Sequence, residues 1–297
     1  MRISLFLICL QILAVGEAHA DELPLQEDIS RSELAVYAAD LDSGPKTFSY
    51  RFRFPTDASA EHVWGIDVSH YSGAVDWDKM VDQNVTFAFA KATQGTRYYD
   101  STFATNWNAL ARQQAQGVPI YRGAYHFLSA AGTGEDQADN FLKVVGKIEK
   151  WDLPPCLDLE WDFEISGGRV VTGSDGKPID RWAAVPASDI VAAAKGWLER
   201  VKERTGKTPV IYTNRHWWVA RIGSDQSLAG YPLWIADYGS RSLNKESPSL
   251  PEGHQWDFWQ LTDKGKILGG AMAGNVDTNV FVGTVADFRS RFGSPVK

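Results

Sequence analysis

Cysteine is almost missing from this chain of 297 residues: there are two, Cys9 and Cys156. Cys9 lies in an apolar N-terminal run, so past that run Cys156 stands alone and an intramolecular disulfide is excluded. The fold must then be held by its core, which a chain of this length is able to bury. Positive charge is short as well. Lys and Arg total 30 against 37 Asp and Glu, a net charge of −7, and no basic block stands out. Nucleic acid or an anionic membrane would call for a positive surface, so neither partner is expected. Glycine-rich phosphate loops are missing; no G-x-G-x-x-G or G-x-S-x-G occurs. His62, His70, His126, His216 and His254 make no H-x-x-x-H or Cys/His spacing, so no metal and no cofactor are expected. His126 reads as a histidine satisfied within the core, and Cys156, in an apolar strand, as an inert thiol.

Long hydrophobic runs are also lacking, except at the start. Arg2 precedes the apolar stretch Ile3 to Val15, and Ala18-His19-Ala20 follows as a small-x-small pattern. This is the order of a secretory leader, too short to span a bilayer. Residues 1–20 are expected to be a signal peptide cleaved after Ala20, with a secreted or periplasmic product. Residues 21–60 have weak periodicity and read as an N-terminal extension, in which the alternation of Phe48 to Phe54 predicts an edge strand.

From about residue 61 to residue 297 the pattern is regular and reads as one domain. Apolar runs predict strands at 64–68, 85–90, 120–127, 156–161, 210–212, 233–238 and 258–261. Helical spacing predicts helices at 101–115, capped by Ser101, at 134–149 and at 187–204, stopped by Gly206. Strands alternating with helices imply parallel βαβ units, and seven or eight of them favour an α/β barrel over an open sheet. Two segments, 163–186 and 239–256, interrupt the alternation. Each either shapes a cleft at the C-terminal strand ends or is an inert surface insertion.

The chemistry concentrates in Pro154-Pro155-Cys156-Leu157-Asp158-Leu159-Glu160-Trp161. On a strand, Asp158 and Glu160 share one face, roughly 6–7 Å apart by two strand rises, while Leu157 and Leu159 share the other. Two adjacent carboxylates resist ionising together, so one tends to keep its proton, and glycoside hydrolysis needs such a pair. Asp67, at the end of the first strand, and Asp277, after the last, are turn residues if taken singly. A closed parallel barrel would bring both to the same end. Tyr125, Tyr212, Trp234, Tyr238 and Trp259 follow the same geography: each is either core or a platform for a sugar ring.

These segments resemble the glycoside hydrolase family 25 lysozymes. Gly65-Ile66-Asp67-Val68-Ser69-His70-Tyr71-Ser72-Gly73 is similar to their opening strand. Phe89 to Gly95, Gly123 to Phe127, Leu157 to Glu160, Pro209 to Thr213, Leu233 to Tyr238, Trp259-Gln260-Leu261-Thr262 and Val276 to Asn279 follow in the family's order. The resemblance covers about residues 64 to 288. It implies an irregular TIM-like barrel that cleaves the β-1,4 bond between N-acetylmuramic acid and N-acetylglucosamine with retention. Under it Glu160 is the acid/base and Asp158 its partner, either attacking C1 or orienting the substrate's acetamido group. Asp67 and Asp277 complete the acidic cluster, and Tyr125, Tyr212, Trp234, Tyr238, Trp259 and Gln260 contact substrate. Peptidoglycan glycan strands are the expected partner, and a monomer the expected state. The 21–60 extension and the 163–186 insertion depart from the family pattern. A chitinase-like glycosidase is the rival enzyme reading, weakened because the fuller D-x-x-D-x-D-x-E run is missing. A non-catalytic peptidoglycan-binding protein is the rival from another class, and the four intact carboxylates argue against it.

Overall fold

Alternate residues of a strand face opposite sides, and eight strands of this chain use that parity to enclose one interior. They are β1 (Val63–Val68), β2 (Phe87–Gln94), β3 (Tyr121–Phe127), β4 (Cys156–Leu159), β5 (Val210–Asn214), β6 (Leu233–Ala236), β7 (Phe258–Lys266) and β8 (Val276–Phe281). Strands β1 to β7 pair in parallel in chain order. β8 runs antiparallel between β7 and β1 and closes the barrel. The computed structural model describes residues 52–53, 62–238, 247–267 and 269–293. The expected leader lies outside the described residues. Of the expected edge strand, only Phe52–Arg53 is described, paired in parallel with Gly265 and Lys266 of β7.

Helices α1 (Phe103–Ala115), α2 (Gly134–Val145) and α3 (Ala187–Thr205) cover the barrel, and α4 (Arg215–Arg221) and α5 (Val285–Phe292) complete the described long helices. Odd and even strand positions sort into two apolar clusters. Trp64, Ile66, Ala88, Ala90, Leu157, Leu159 and Trp259 face the helices. Val63, Phe87, Phe89, Tyr125, Cys156, Tyr212, Trp234 and Phe258 fill the barrel. Two glycines make room there, since a Cβ at Gly65 would collide with the ring of Phe87 and one at Gly123 with that of Phe89. α5 seals the N-terminal end of the barrel by packing Phe288 against Phe87, Phe258 and Phe281, with centroids 5.6, 6.4 and 5.0 Å away.

Several expected boundaries move for physical reasons. β2 continues past 90 to Gln94, because Lys91, Thr93 and Gln94 ladder to Tyr125, His126 and Phe127 although they are polar. Ser101 is not the cap of α1. Thr102 holds that position, and the Asp100 carboxylate accepts from both its backbone N–H and its hydroxyl. α2 stops at Val145 rather than 149, because Gly146 turns the chain at φ 70°. Gly206 ends α3 in the left-handed region, as its position predicted. The 163–186 insertion folds as a finger: Ile165–Ser166 pairs with Arg169–Val170, and bridges at Thr172–Pro178 and Phe163–Asp180 bring it back. A 3₁₀ turn at Arg181–Ala184 then leads toward α3.

His126 behaves as a core histidine. Its ring is stacked on Trp197 of α3, bonded to the Thr93 hydroxyl at 2.7 Å and to the Gln137 amide oxygen at 3.2 Å. Burial drives its pKa down from 6.5 to about 3. The unfolded chain therefore takes up a proton below about pH 6.5 that the folded chain refuses. This stabilisation is complete above pH 6.5 and is lost as the pH falls toward 3. Between pH 6 and 4.5, wild-type unfolding free energy should fall more steeply than that of His126→Gln, by about 1.4 kcal/mol per pH unit. Urea titrations at several pH values measure the two slopes, and equal slopes would contradict the assignment.

Candidate active site

The inward positions at the C-terminal end of the barrel are polar where those below are apolar. Asp67 of β1 follows Val63 and Gly65 on the inner face; Asp158 of β4 follows Cys156. Both are buried, Asp158 at 0% and Asp67 at 1% exposure. Glu160 continues the parity of Asp158 just beyond the last residue of β4 and is 3% exposed. Asp277 needs a correction: it does not follow the last strand but lies within β8, directly opposite Asp67 in the antiparallel register. Directly opposed residues share a face, so the reversed strand is what sets these two aspartates side by side.

A carboxylate taken out of water has to be given donors. Asp67 Oδ2 accepts from the side-chain amides of Gln260 and Asn279, each at 2.8 Å. The Gln260 amide oxygen in turn accepts from the hydroxyls of Tyr212 at 2.8 Å and Tyr238 at 2.7 Å. Asn279 accepts from the indole N–H of Trp234 at 2.8 Å. This network crosses the barrel from β1 and β8 to β5, where Tyr212 sits in register beside Asp158. The structure thus gathers Tyr212, Trp234, Tyr238 and Gln260 around Asp67. Tyr125 is inward and buried on β3. Trp259 is on the other face of β7: it is 1% exposed in the shell under the helices, with its N–H donated to the Asp237 carbonyl.

Three features of this layer were not foreseen. Lys91 is a buried cation on β2, donating to Gln94 at 2.8 Å and lying 5.3 Å from the centre of the Phe127 ring. A lone lysine at the inward parity of Phe87 and Phe89 was the available signal. Asn279 shares parity with Asp277, two residues earlier, and could have been read with it. The third is the return of the finger, which no periodicity marks. Asp162 accepts from the Ser129 hydroxyl and the Ala130 N–H, both at 2.8 Å, and pairs with Arg181 at 3.4 Å. Asp180 is bridged by Arg221 at 2.7 Å, whose guanidinium lies 4.9 Å over the Trp161 ring. Burial pushes the carboxyls of Asp162 and Asp180 up, and the facing arginines work against it. Among the described residues, no cluster of three His, Cys, Asp or Glu has the geometry to hold a metal ion.

A barrel that recesses carboxylates at the C-terminal ends of its strands is a framework for glycosidic bond hydrolysis. Relatives define the class further. The sequence pattern described as Glycosyl hydrolases family 25 matches residues 66–270, and the chain belongs to this family of glycoside hydrolases. It is 34% identical over 237 residues to Lysozyme M1 of Streptomyces globisporus, covering 78% of this chain and 71% of the relative. It is 31% identical to the N,O-diacetylmuramidase of Chalaropsis sp, covering 68% and 88%. Among solved structures, the bacterial lysozyme of Streptomyces coelicolor superposes with a TM-score of 0.63 at 31% identity, over 80% of this chain and 99% of that one.

The network predicts its own weak point. Asn279→Leu keeps the volume but strips one donor from Asp67 and the acceptor from Trp234. Stability in urea should drop by about 1–3 kcal/mol, the cost of a buried polar group left unmatched. An unchanged unfolding midpoint would mean that Asp67 does not depend on this amide.

Proposed function

We infer that this protein is a peptidoglycan muramidase that uses Glu160 as the proton donor and Asp158 as its partner across the scissile bond. One observation carries the assignment: two carboxylates of equal parity at the end of β4, both buried, one in the barrel wall and one just past it. The relatives named lysozyme and muramidase support peptidoglycan as the substrate.

In this reading Glu160 protonates the glycosidic oxygen as the bond to C1 of N-acetylmuramic acid breaks. Positive charge then builds at C1 and on the ring oxygen, and the anionic Asp158 stabilises it. Asp158 does so directly at C1 or through the substrate's 2-acetamido group; both routes retain the anomeric configuration. Glu160, now a carboxylate, takes a proton from the incoming water and is ready again. Asp67 and Asp277 add negative charge opposite, and the amides of Gln260 and Asn279 hold Asp67 in place. Tyr125, Tyr212 and Tyr238 line the same end and are proposed to meet the sugar. Trp234 acts in this scheme through Asn279, not by direct contact.

Export belongs to the same reading: residues 1–20 are proposed as a leader and residues 61–297 as the catalytic unit acting on an extracellular wall. Among the described residues, no helix is long and apolar enough to cross a membrane.

Glu160→Gln should lower kcat about 10²–10⁴-fold, the contribution of general acid catalysis, with the fold retained. Digested walls, reduced with borohydride and hydrolysed, should yield muramicitol, and the first-formed reducing end should be the β anomer by NMR. Glucosaminitol as the main product would mean cleavage at the other sugar, an α anomer would mean inversion, and release of peptides alone would end the glycosidase reading.

A further inference from the structure

The sheet stops supporting the chain one residue before the proposed acid. Leu159 is the last residue of β4 and pairs with Thr213 of β5, whose hydroxyl donates to the Leu159 carbonyl at 2.8 Å. At Glu160 the support comes from elsewhere. The indole Nε1–H of Trp182 donates to the Glu160 carbonyl at 3.1 Å, and Trp182 is itself buried at 2% exposure, edge-on to Trp217. The two residues before Trp182 are fixed too. Asp180 Oδ1 accepts from the backbone N–H groups of Asp162 and Trp182, each at 3.2 Å, and the Arg181 N–H donates to the Asp162 carbonyl at 2.8 Å. The pair between Asp180 and Arg221 anchors this turn to α4. Residues 180–182 thus grip the backbone at 160 and at 162, one residue to each side of Trp161.

We propose that Trp182 is a positioning residue for Glu160, and that the 163–186 insertion is a brace that aims the acid rather than a surface decoration. The proposal rests on the muramidase reading. A carboxylic acid held on a frayed strand end would sample orientations from which its proton cannot reach the glycosidic oxygen, and misplacement by about 1 Å can cost roughly 10²-fold in rate. The finger removes that freedom. Its two strands and two bridges return the chain to Asp180, opposite Phe163, so the brace starts three residues after the acid and closes on it.

Positioning of an acid has a signature that general loosening lacks. A leaving group that departs without protonation does not need Glu160, whereas the sugar alkoxide of a wall glycan does. The test compares kcat/KM, which reports bond cleavage, on wall glycan and on a 2,4-dinitrophenyl glycoside of the muramic-acid disaccharide. Trp182→Phe keeps an aromatic ring and loses the donor; Asp180→Ala removes the turn's acceptor and serves if the first variant folds poorly. Val201→Ala, in the core of α3, is the control for a general loss of stability away from the site. Trp182→Phe and Asp180→Ala should lose at least 10-fold on the glycan and less than threefold on the activated substrate, while Val201→Ala changes neither ratio. Equal losses on both substrates, or no loss on the glycan, would overturn the brace. Failure of the underlying reading looks different: wild-type protein would leave wall glycan uncut, or Glu160→Gln would cut it at the wild-type rate.

Discussion

Carboxylates inside a barrel must be paired with donors, and at Asp67 that requirement organises the upper layer of this protein. Two amides supply it, one from β7 and one from β8, the first fixed by two tyrosine hydroxyls and the second by an indole N–H. The direction of β8 is essential. Run in parallel with its neighbours, this strand would not set Asp277 against Asp67 or carry Asn279 two residues deeper on the same face. Because it runs backward, its first residues lie at the end of the barrel where β1 to β7 finish. The aromatic plug at the other end frees this layer from any task of closing the core, since Phe87, Phe258, Phe281 and Phe288 already close it.

Much of this was legible from periodicity alone. The apolar runs located seven barrel strands, and parity put Asp158 and Glu160 on one face with Leu157 and Leu159 on the other. What parity could not reveal was strand direction. Val276 to Phe281 follows a glycine-rich stretch without an intervening helix, so Asp277 read as a loop residue when it is a strand residue. Polar positions hid the true length of β2 for a related reason: Lys91, Thr93 and Gln94 break the apolar pattern that marks a strand, yet they stay paired with β3 across a register shift between Lys91 and Thr93. Trp259 shows the limit of reading aromatics by location. It is next to Gln260 in sequence, but one step along a strand moves a side chain from the interior to the shell beneath the helices.

The finger at 163–186 was the least legible element. Its contacts with the end of β4 are a few hydrogen bonds, donated by the Trp182 indole and the Arg181 backbone and accepted by the Asp180 carboxylate, with no repeat to announce them. It also illustrates how a barrel enzyme can build precision on a loop. The strand supplies the direction of the acid, and a second segment, returning from about 20 residues away in sequence, supplies the restraint that the strand end lacks. Stability and chemistry are separated by the same device. Asp162 and Asp180, both buried, pair with the half-buried Arg181 and Arg221 behind Trp161, while the carboxylates proposed for catalysis sit on the inner face.

In the proposed arrangement one sugar bond lies between Glu160 and Asp158, with Asp67 and Asp277 on the facing wall. A crystal structure of Glu160→Gln bound to an alternating tetrasaccharide of N-acetylglucosamine and N-acetylmuramic acid tests it most directly. The residue-160 amide should lie within hydrogen-bond distance of the scissile oxygen, and Asp158 next to C1 or the 2-acetamido group of the muramic acid on its non-reducing side. A glycan bound away from the C-terminal end of the barrel, or lying there with its muramic acid linkages out of reach of both residues, would contradict it.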